Sequence, residues 1–236
     1  MKDLQNIIKE LTRIYKNSGR DAEEYLAKAR KLERSFGSGP AIVYCWFYSV
    51  PQKWTHVEAK IFELMKLTDS FDLDIMLAMP REELARAMMP MIFHNEISNQ
   101  LKKFCKAVED EYGSWDAFAK IIKDQDIFSI FSDLRRYKGI RLTLKNLAAM
   151  KSFVGQSDNF PILDTHLANF LGISKETRNR FIVQEALFKK LLFFSSKITQ
   201  TLRKEGFKNM TAIQWSLAIW FNRAKICAKD LLYIIS

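Results

Sequence analysis

A chain of 236 residues with 48% hydrophobic and 13% aromatic content has ample material for a core, which excludes an intrinsically disordered segment. Thirty-seven Lys and Arg stand against 27 Asp and Glu, a formal net charge of +10. That balance points to a polyanionic partner and carries no fold information.

Only 8 Gly and 5 Pro punctuate the chain, and helical periodicity recurs throughout. An all-α fold is expected. Residues 3–16 and 20–35 read as two amphipathic helices split at Asn17-Ser18-Gly19. FGSGP (36–40) is the clearest break. AIVYCWFYSV (41–50) is apolar on every side, which fits a buried helix, though its β-branched and aromatic residues also suit a strand. Helices follow over 55–67 and 81–88, with Pro80 and Pro90 as boundaries. HNEISNQLKKFCKAVEDE (94–111) is a long amphipathic helix stopped at Tyr112-Gly113. Ser114 caps a helix over 115–122, and 126–136 is another. KGI (138–140) is a tight turn before a helix over 141–154. GQSDNFP leads to Asp164, Ser174 caps the next element, and long helices cover 184–205 and 211–234.

Cys45, Cys105 and Cys227 are far apart and share no ligand spacing with the histidines His56, His94 and His166. This argues against a zinc or iron–sulfur site and for reduced thiols in the cytosol. Charges spread through residues 1–20 argue against a secretory signal, and no window approaches the ~20 apolar residues of a membrane span.

Asp164 stands before an apolar-periodic run, where Asp is a favoured N-cap. It is also a candidate working carboxylate, because Lys145 precedes it at a suggestive distance. The helix from Lys145 to Val154 rises about 14 Å, and an extended segment from Gly155 to Leu163 spans up to ~30 Å. The loop therefore has the reach to return Asp164 to the start of that helix. A helix N-terminus disfavours an ammonium and so helps keep the Lys145 amine neutral. A neutral amine is a nucleophile for C1′ of a deoxyribose, and a carboxylate stabilises the cation-like sugar formed as a sugar–base bond breaks.

KNLAAMKSFVGQSDNFPILDTH (145–166) resembles the lysine, loop and Asp-x-His of the helix-hairpin-helix DNA glycosylases, in particular the 8-oxoguanine DNA glycosylase/β-lyase type. The resemblance implies that Lys145 is the Schiff-base lysine and Asp164 the catalytic aspartate. HNEISNQLKKFCKAVEDEYGS (94–114) is similar to the family helix whose start probes the minor groove, which places Asn95 and His94 there. The family's hairpin glycines are replaced by Arg141 and Thr143, leaving Gly139. This resembles the remodelled hairpin of the archaeal branch. Arg135, Arg136, Lys138 and Arg141 cluster there, which suits either part of the phosphate contact or an ordinary solvated face. The N-terminal β-domain of the eukaryotic enzymes is expected to be absent.

The resemblance implies two interlocked helical subdomains with a catalytic cleft between them. One covers 41–150 and the other 1–40 with 151–236. It further implies base excision repair of an oxidised purine in duplex DNA, by a cytoplasmic, nucleoid-associated monomer that needs no cofactor. A flipped base needs aromatic walls. Trp215, Trp220 and Trp46 are the candidates, and Phe47, Tyr48 and Trp54 are alternatives. All of them equally suit a core. Gln100 and Gln214 could read a base edge. Three other readings stay open: a monofunctional glycosylase in which Asp164 activates water, a non-catalytic DNA-binding protein, and a helical interaction protein.

Overall fold

The computed structural model describes residues 3–50 and 54–224. Among them the chain is all α-helical and holds no β-strand. In chain order the α-helices are α1 (Leu4–Ala29), α2 (Leu32–Phe36), α3 (Ser38–Trp46), α4 (Trp54–Leu67), α5 (Leu73–Ala78), α6 (Arg81–Ala87), α7 (His94–Tyr112) and α8 (Trp115–Asp124). They continue with α9 (Ile127–Arg135), α10 (Leu144–Phe153), α11 (Thr165–Phe170), α12 (Lys175–Phe181), α13 (Glu185–Lys204) and α14 (Ala212–Ala224). A single 3-10 turn, η1 (Phe47–Ser49), continues α3. Two compact units result. Residues 30–155 form one, and the residues up to 29 with those from 156 onward form the other.

In the unit of 30–155, α3 is the hub, with α2, α4, α8 and α10 packed on it. Every residue from Ser38 to Trp46 is buried, as the all-round apolar run 41–50 predicts for a helix. The break in FGSGP is narrower than expected. Only Gly37 leaves the helical region, at φ 90°, and α3 begins at the next residue. Pro40 falls in the first turn, where its missing N–H has no helical partner to lose. Gly39 permits a close approach, since a Cβ there would lie 2.8 Å from Trp115 Cδ1. The Trp115 indole in turn donates to the Phe71 carbonyl at 2.7 Å.

Two lysines of this unit cap helix C-termini. Lys151 Nζ donates to the carbonyls of Ile122, Lys123 and Gln125 at 2.7, 2.9 and 2.7 Å, closing α8. Burial lowers the pKa of its ammonium, against the charges of Asp126 and Asp124. Lys102 Nζ does the same for α5 through the carbonyls of Leu77 and Met79. α5 itself escapes the sequence periodicity because it is short. Asp72 caps it by accepting from the Ile75 amide at 2.9 Å.

In the other unit, α14 is the hub and α1, α11 and α13 pack on it. The expected break at Asn17-Ser18-Gly19 does not occur, because α1 runs unbroken through it. Gly19 is there for space and not for a turn. A Cβ on it would lie 2.7 Å from Tyr15 Cε1. The Tyr15 ring meets Phe207 edge-on, and its hydroxyl donates to Glu23 at 2.5 Å. The helix boundary falls instead at residues 30–31. The loop before α11 is tied to α14. The Ala212 amide donates to the Asp158 carbonyl at 3.0 Å, and the Ile162 amide to Ser216 Oγ at 3.3 Å. The expected helix over 211–234 is seen as α14, and residues 225–234 lie outside the described residues. No helix among the described residues is long and apolar enough to cross a membrane.

Candidate active site

The start of α10 is fastened to the end of α3 and η1. Helix ends leave their last carbonyls without intrahelical donors, and four such carbonyls are met here by side chains from 141–146. Asn146 Nδ2 donates to Cys45 O at 3.1 Å and to Trp46 O at 2.7 Å. Lys145 Nζ donates to Tyr48 O, and Arg141 Nη2 to Ser49 O at 3.1 Å. The Trp46 indole returns a bond to Ile140 O at 3.0 Å. Asn146 is fully buried, and its Oδ1 also accepts from the Thr143 amide at 3.0 Å. With the Thr143 hydroxyl accepting from the Asn146 amide, this forms a capping box. The box sets the helix start at Leu144, later than the expected residue 141. Lys145 is therefore the second residue of α10, part-buried and aimed at a carbonyl.

Beside Lys145 lies an aromatic group. The rings of Tyr48 and Trp54 stack with centroids 4.4 Å apart, and Tyr44 meets Trp54 edge-on at 5.3 Å. Tyr48 and Trp54 both keep partial exposure. The Trp54 indole Nε1 is buried and has no hydrogen-bond partner among the described residues. A buried donor without a partner costs about 1–3 kcal/mol.

Asp164 belongs to the other unit. It is the N-cap of α11, its Oδ1 accepting from the Leu167 amide at 2.7 Å in an extended backbone. The cap role expected of an Asp before an apolar run is therefore present.

The residues expected at DNA all lie in the unit of 30–155. Asn95 is exposed in the first turn of α7. His94 is part-buried, with Nδ1 3.1 Å from Met91 O. Arg135 and Lys138 are exposed, and the Arg135 guanidinium lies 5.8 Å from the Phe131 ring centre. Arg136 is paired with Glu111. Arg141 is the exception among these exposed cations. It is drawn inward to Ser49 O and to Gln100 Oε1 at 3.3 Å. Burial lowers its pKa, against the pull of Glu96. The turn itself is open. Gly139 has φ 84° and Arg141 φ 49°, and the amides of residues 138–142 donate no hydrogen bond among the described residues.

Of the expected base-pocket aromatics, Trp46 and Trp215 are fully enclosed. Trp46 stacks on Phe104, and the Trp215 indole donates to Thr199 Oγ1 at 3.0 Å. Both pack as core residues. Trp220 is part-exposed and leans on Tyr25 and Phe221. Gln214 is committed to capping α14, since its Oε1 accepts from the Thr211 amide at 3.0 Å. Cys45 and Cys105 are buried free thiols, and burial pushes Cys105 up to about 12. Cys227 lies outside the described residues. Among the described residues, no group of three or more His, Cys, Asp or Glu is placed to hold a metal ion.

One feature escaped the sequence reading. Between α6 and α7, Met89, Ile92 and Phe93 are 51%, 61% and 59% exposed. Phe93 also sits in the left-handed region at φ 61°, a genuine outlier for a bulky residue. The apolar run MPMIF in a segment too short for a helix was its signal. Comparison with family models, curated proteins and solved structures found no match.

Proposed function

We propose that this protein is a base-excision DNA glycosylase with β-lyase activity, acting on an oxidised purine in duplex DNA, with 8-oxoguanine the first substrate to test. One observation carries the reading. A part-buried lysine amine, Lys145 Nζ, is fixed on the Tyr48 carbonyl beside a stacked aromatic pair whose indole donor is unmatched. Only the neutral amine has a lone pair for attack, and in this reading Lys145 reacts from that form. In this reading the lone pair attacks C1′ and the electrons of the sugar–base bond leave with the base, which takes up a proton. The sugar ring opens to a Schiff base with Lys145, and β-elimination then expels the 3′ phosphate. Asp164 stabilises the cationic sugar and keeps its capping bond. Tyr48 and Trp54 replace Trp46 and Trp215 as walls for the flipped base, and Trp54 Nε1 donates to a base acceptor. The open amides of 138–142, with Lys138 and Arg135, receive a backbone phosphate. Met89, Ile92 and Phe93 enter the gap left by the base, beside Asn95 and His94.

A second reading rests on Lys102 and Lys151, which hold helix-end carbonyls as Lys145 holds Tyr48 O. If Lys145 is only a third such cap, the enzyme is a monofunctional glycosylase in which Asp164 activates water. The test is release of free base from duplexes carrying single lesions, followed by mass spectrometry. The main reading expects 8-oxoguanine from the wild type and none from Lys145→Gln or Asp164→Asn. Release that survives Lys145→Gln selects the second reading, and no release from any lesion removes both.

A further inference from the structure

The excess positive charge is not evenly spread. Between residues 174 and 210 there are nine Lys and Arg against three Glu, so six of the ten surplus charges fall in this segment. It covers α12 and α13. α12 buries no residue. α13 buries one face through Phe188, Leu191, Ile198 and Leu202, and turns the other outward. On the outward face the adjacent Lys189 and Lys190 are followed by Phe193, Lys197, Gln200 and Lys204 at steps of three or four, and all are exposed. This row is about 22 Å long. Near its middle Phe193 is 64% exposed, the most exposed large hydrophobic side chain among the described residues. Lys197 Nζ lies 4.5 Å from the centre of its ring. No acid lies in the row, although Glu185 pairs with Lys189 at one end and Glu205 follows Lys204 at the other. An exposed pair of that kind is worth little and is readily exchanged.

We propose that this face of α13 is a binding site for single-stranded nucleic acid, with a base stacked on Phe193 and phosphates held by Lys189, Lys190, Lys197 and Lys204. Two arguments select this occupant. A row of cations without acids suits a polyanion, and an aromatic ring standing among them suits a π-faced base that is free to leave its stack. A paired base in a duplex offers no face to a ring on a convex helix. A membrane surface needs a continuous apolar stripe, and the apolar stripe of α13 is already buried in its own unit. The inference is independent of the glycosylase reading and uses no residue of the Lys145 site.

The test is fluorescence anisotropy with a labelled oligothymidylate of about 12 nucleotides, within the ~4–16 that small single-strand binders cover. A blunt duplex and inorganic polyphosphate serve as comparison probes. Phe193→Ala is expected to weaken the single strand about tenfold and to leave the duplex and polyphosphate unchanged. Lys189→Glu with Lys197→Glu is expected to weaken the single strand further and to flatten its salt dependence. These side chains are exposed, so circular dichroism of each variant should match the wild type. Single-strand binding unchanged in both variants overturns the proposal. Loss only with the lysine changes, equal for polyphosphate, also overturns it by reducing the face to a general polyanion surface. Base release by the Phe193 variant stays at the wild-type level, so failure here is distinct from failure of the glycosylase reading.

Discussion

Lys145 donates a hydrogen bond from the second residue of α10 to the main-chain carbonyl of Tyr48. This contact lies within a series that runs from Asn146 back to Arg141 along the carbonyls of 45–49. A flexible lysine is thereby held by a rigid neighbour, since Asn146 fixes the same turn from within the core. Positioning of the amine and stability of the unit are coupled at adjacent residues and separable by mutation.

Asn146→Ala tests the stability half. It removes the side-chain donor from the carbonyls of Cys45 and Trp46 and the acceptor from the Thr143 amide. We expect a loss of about 2–4 kcal/mol. At roughly 2–4 °C per kcal/mol for a chain of this size, thermal unfolding followed by circular dichroism would show a clear fall in Tm. A variant within about 1 °C of wild type would mean that this network is unimportant to the fold.

Asp164 has two assignable roles, and two substitutions divide them. Asn caps a helix nearly as well as Asp, whereas Ala loses about 1 kcal/mol of capping. Asp164→Asn is expected to keep the wild-type Tm and lose base release. Asp164→Ala is expected to lose both. Base release at the wild-type rate in Asp164→Asn would leave the residue as a cap alone.

The helical layout was legible in the sequence because its punctuation is physical. Ser114, Ser174 and Asp164 cap where capping chemistry expects them, and Gly113 ends α7 in the left-handed region. Gly19 misled because sequence does not distinguish a glycine needed for φ from one needed for space. Arg141 misled for a related reason. A cation beside a turn reads as solvent-facing until the helix end that needs it is known. Which aromatics are core was illegible, since Trp46 and Tyr48 are two positions apart and only three-dimensional packing buries one and leaves the other part-exposed.

Gly19 carries its own test. Gly→Ala in a helix interior ordinarily stabilises by about 1 kcal/mol. Here the added methyl meets the Tyr15 ring at 2.7 Å. Gly19→Ala is expected to lower Tm in the wild type and to raise it in a Tyr15→Ala background. Stabilisation in both backgrounds would show that the ring moves away freely.

Trp54→Phe removes the orphan donor and keeps an aromatic ring beside Tyr48. Loss of a partnerless N–H relieves its desolvation cost and offsets the packing lost with the smaller ring, so stability is expected to stay within about 1 kcal/mol of wild type. Steady-state kinetics on the lesion duplex are expected to show a fall in kcat/KM of about tenfold or more, the weight of one buried hydrogen bond. Unchanged kinetics would remove Trp54 from base recognition.

The most direct measurement is borohydride trapping. The protein is mixed with a duplex bearing a single 8-oxoguanine, borohydride is added, and a covalent adduct is sought on a denaturing gel. The account predicts an adduct in the wild type and none in Lys145→Gln. Absence of an adduct from the wild type, even with an abasic-site duplex, would contradict the Schiff-base role of Lys145.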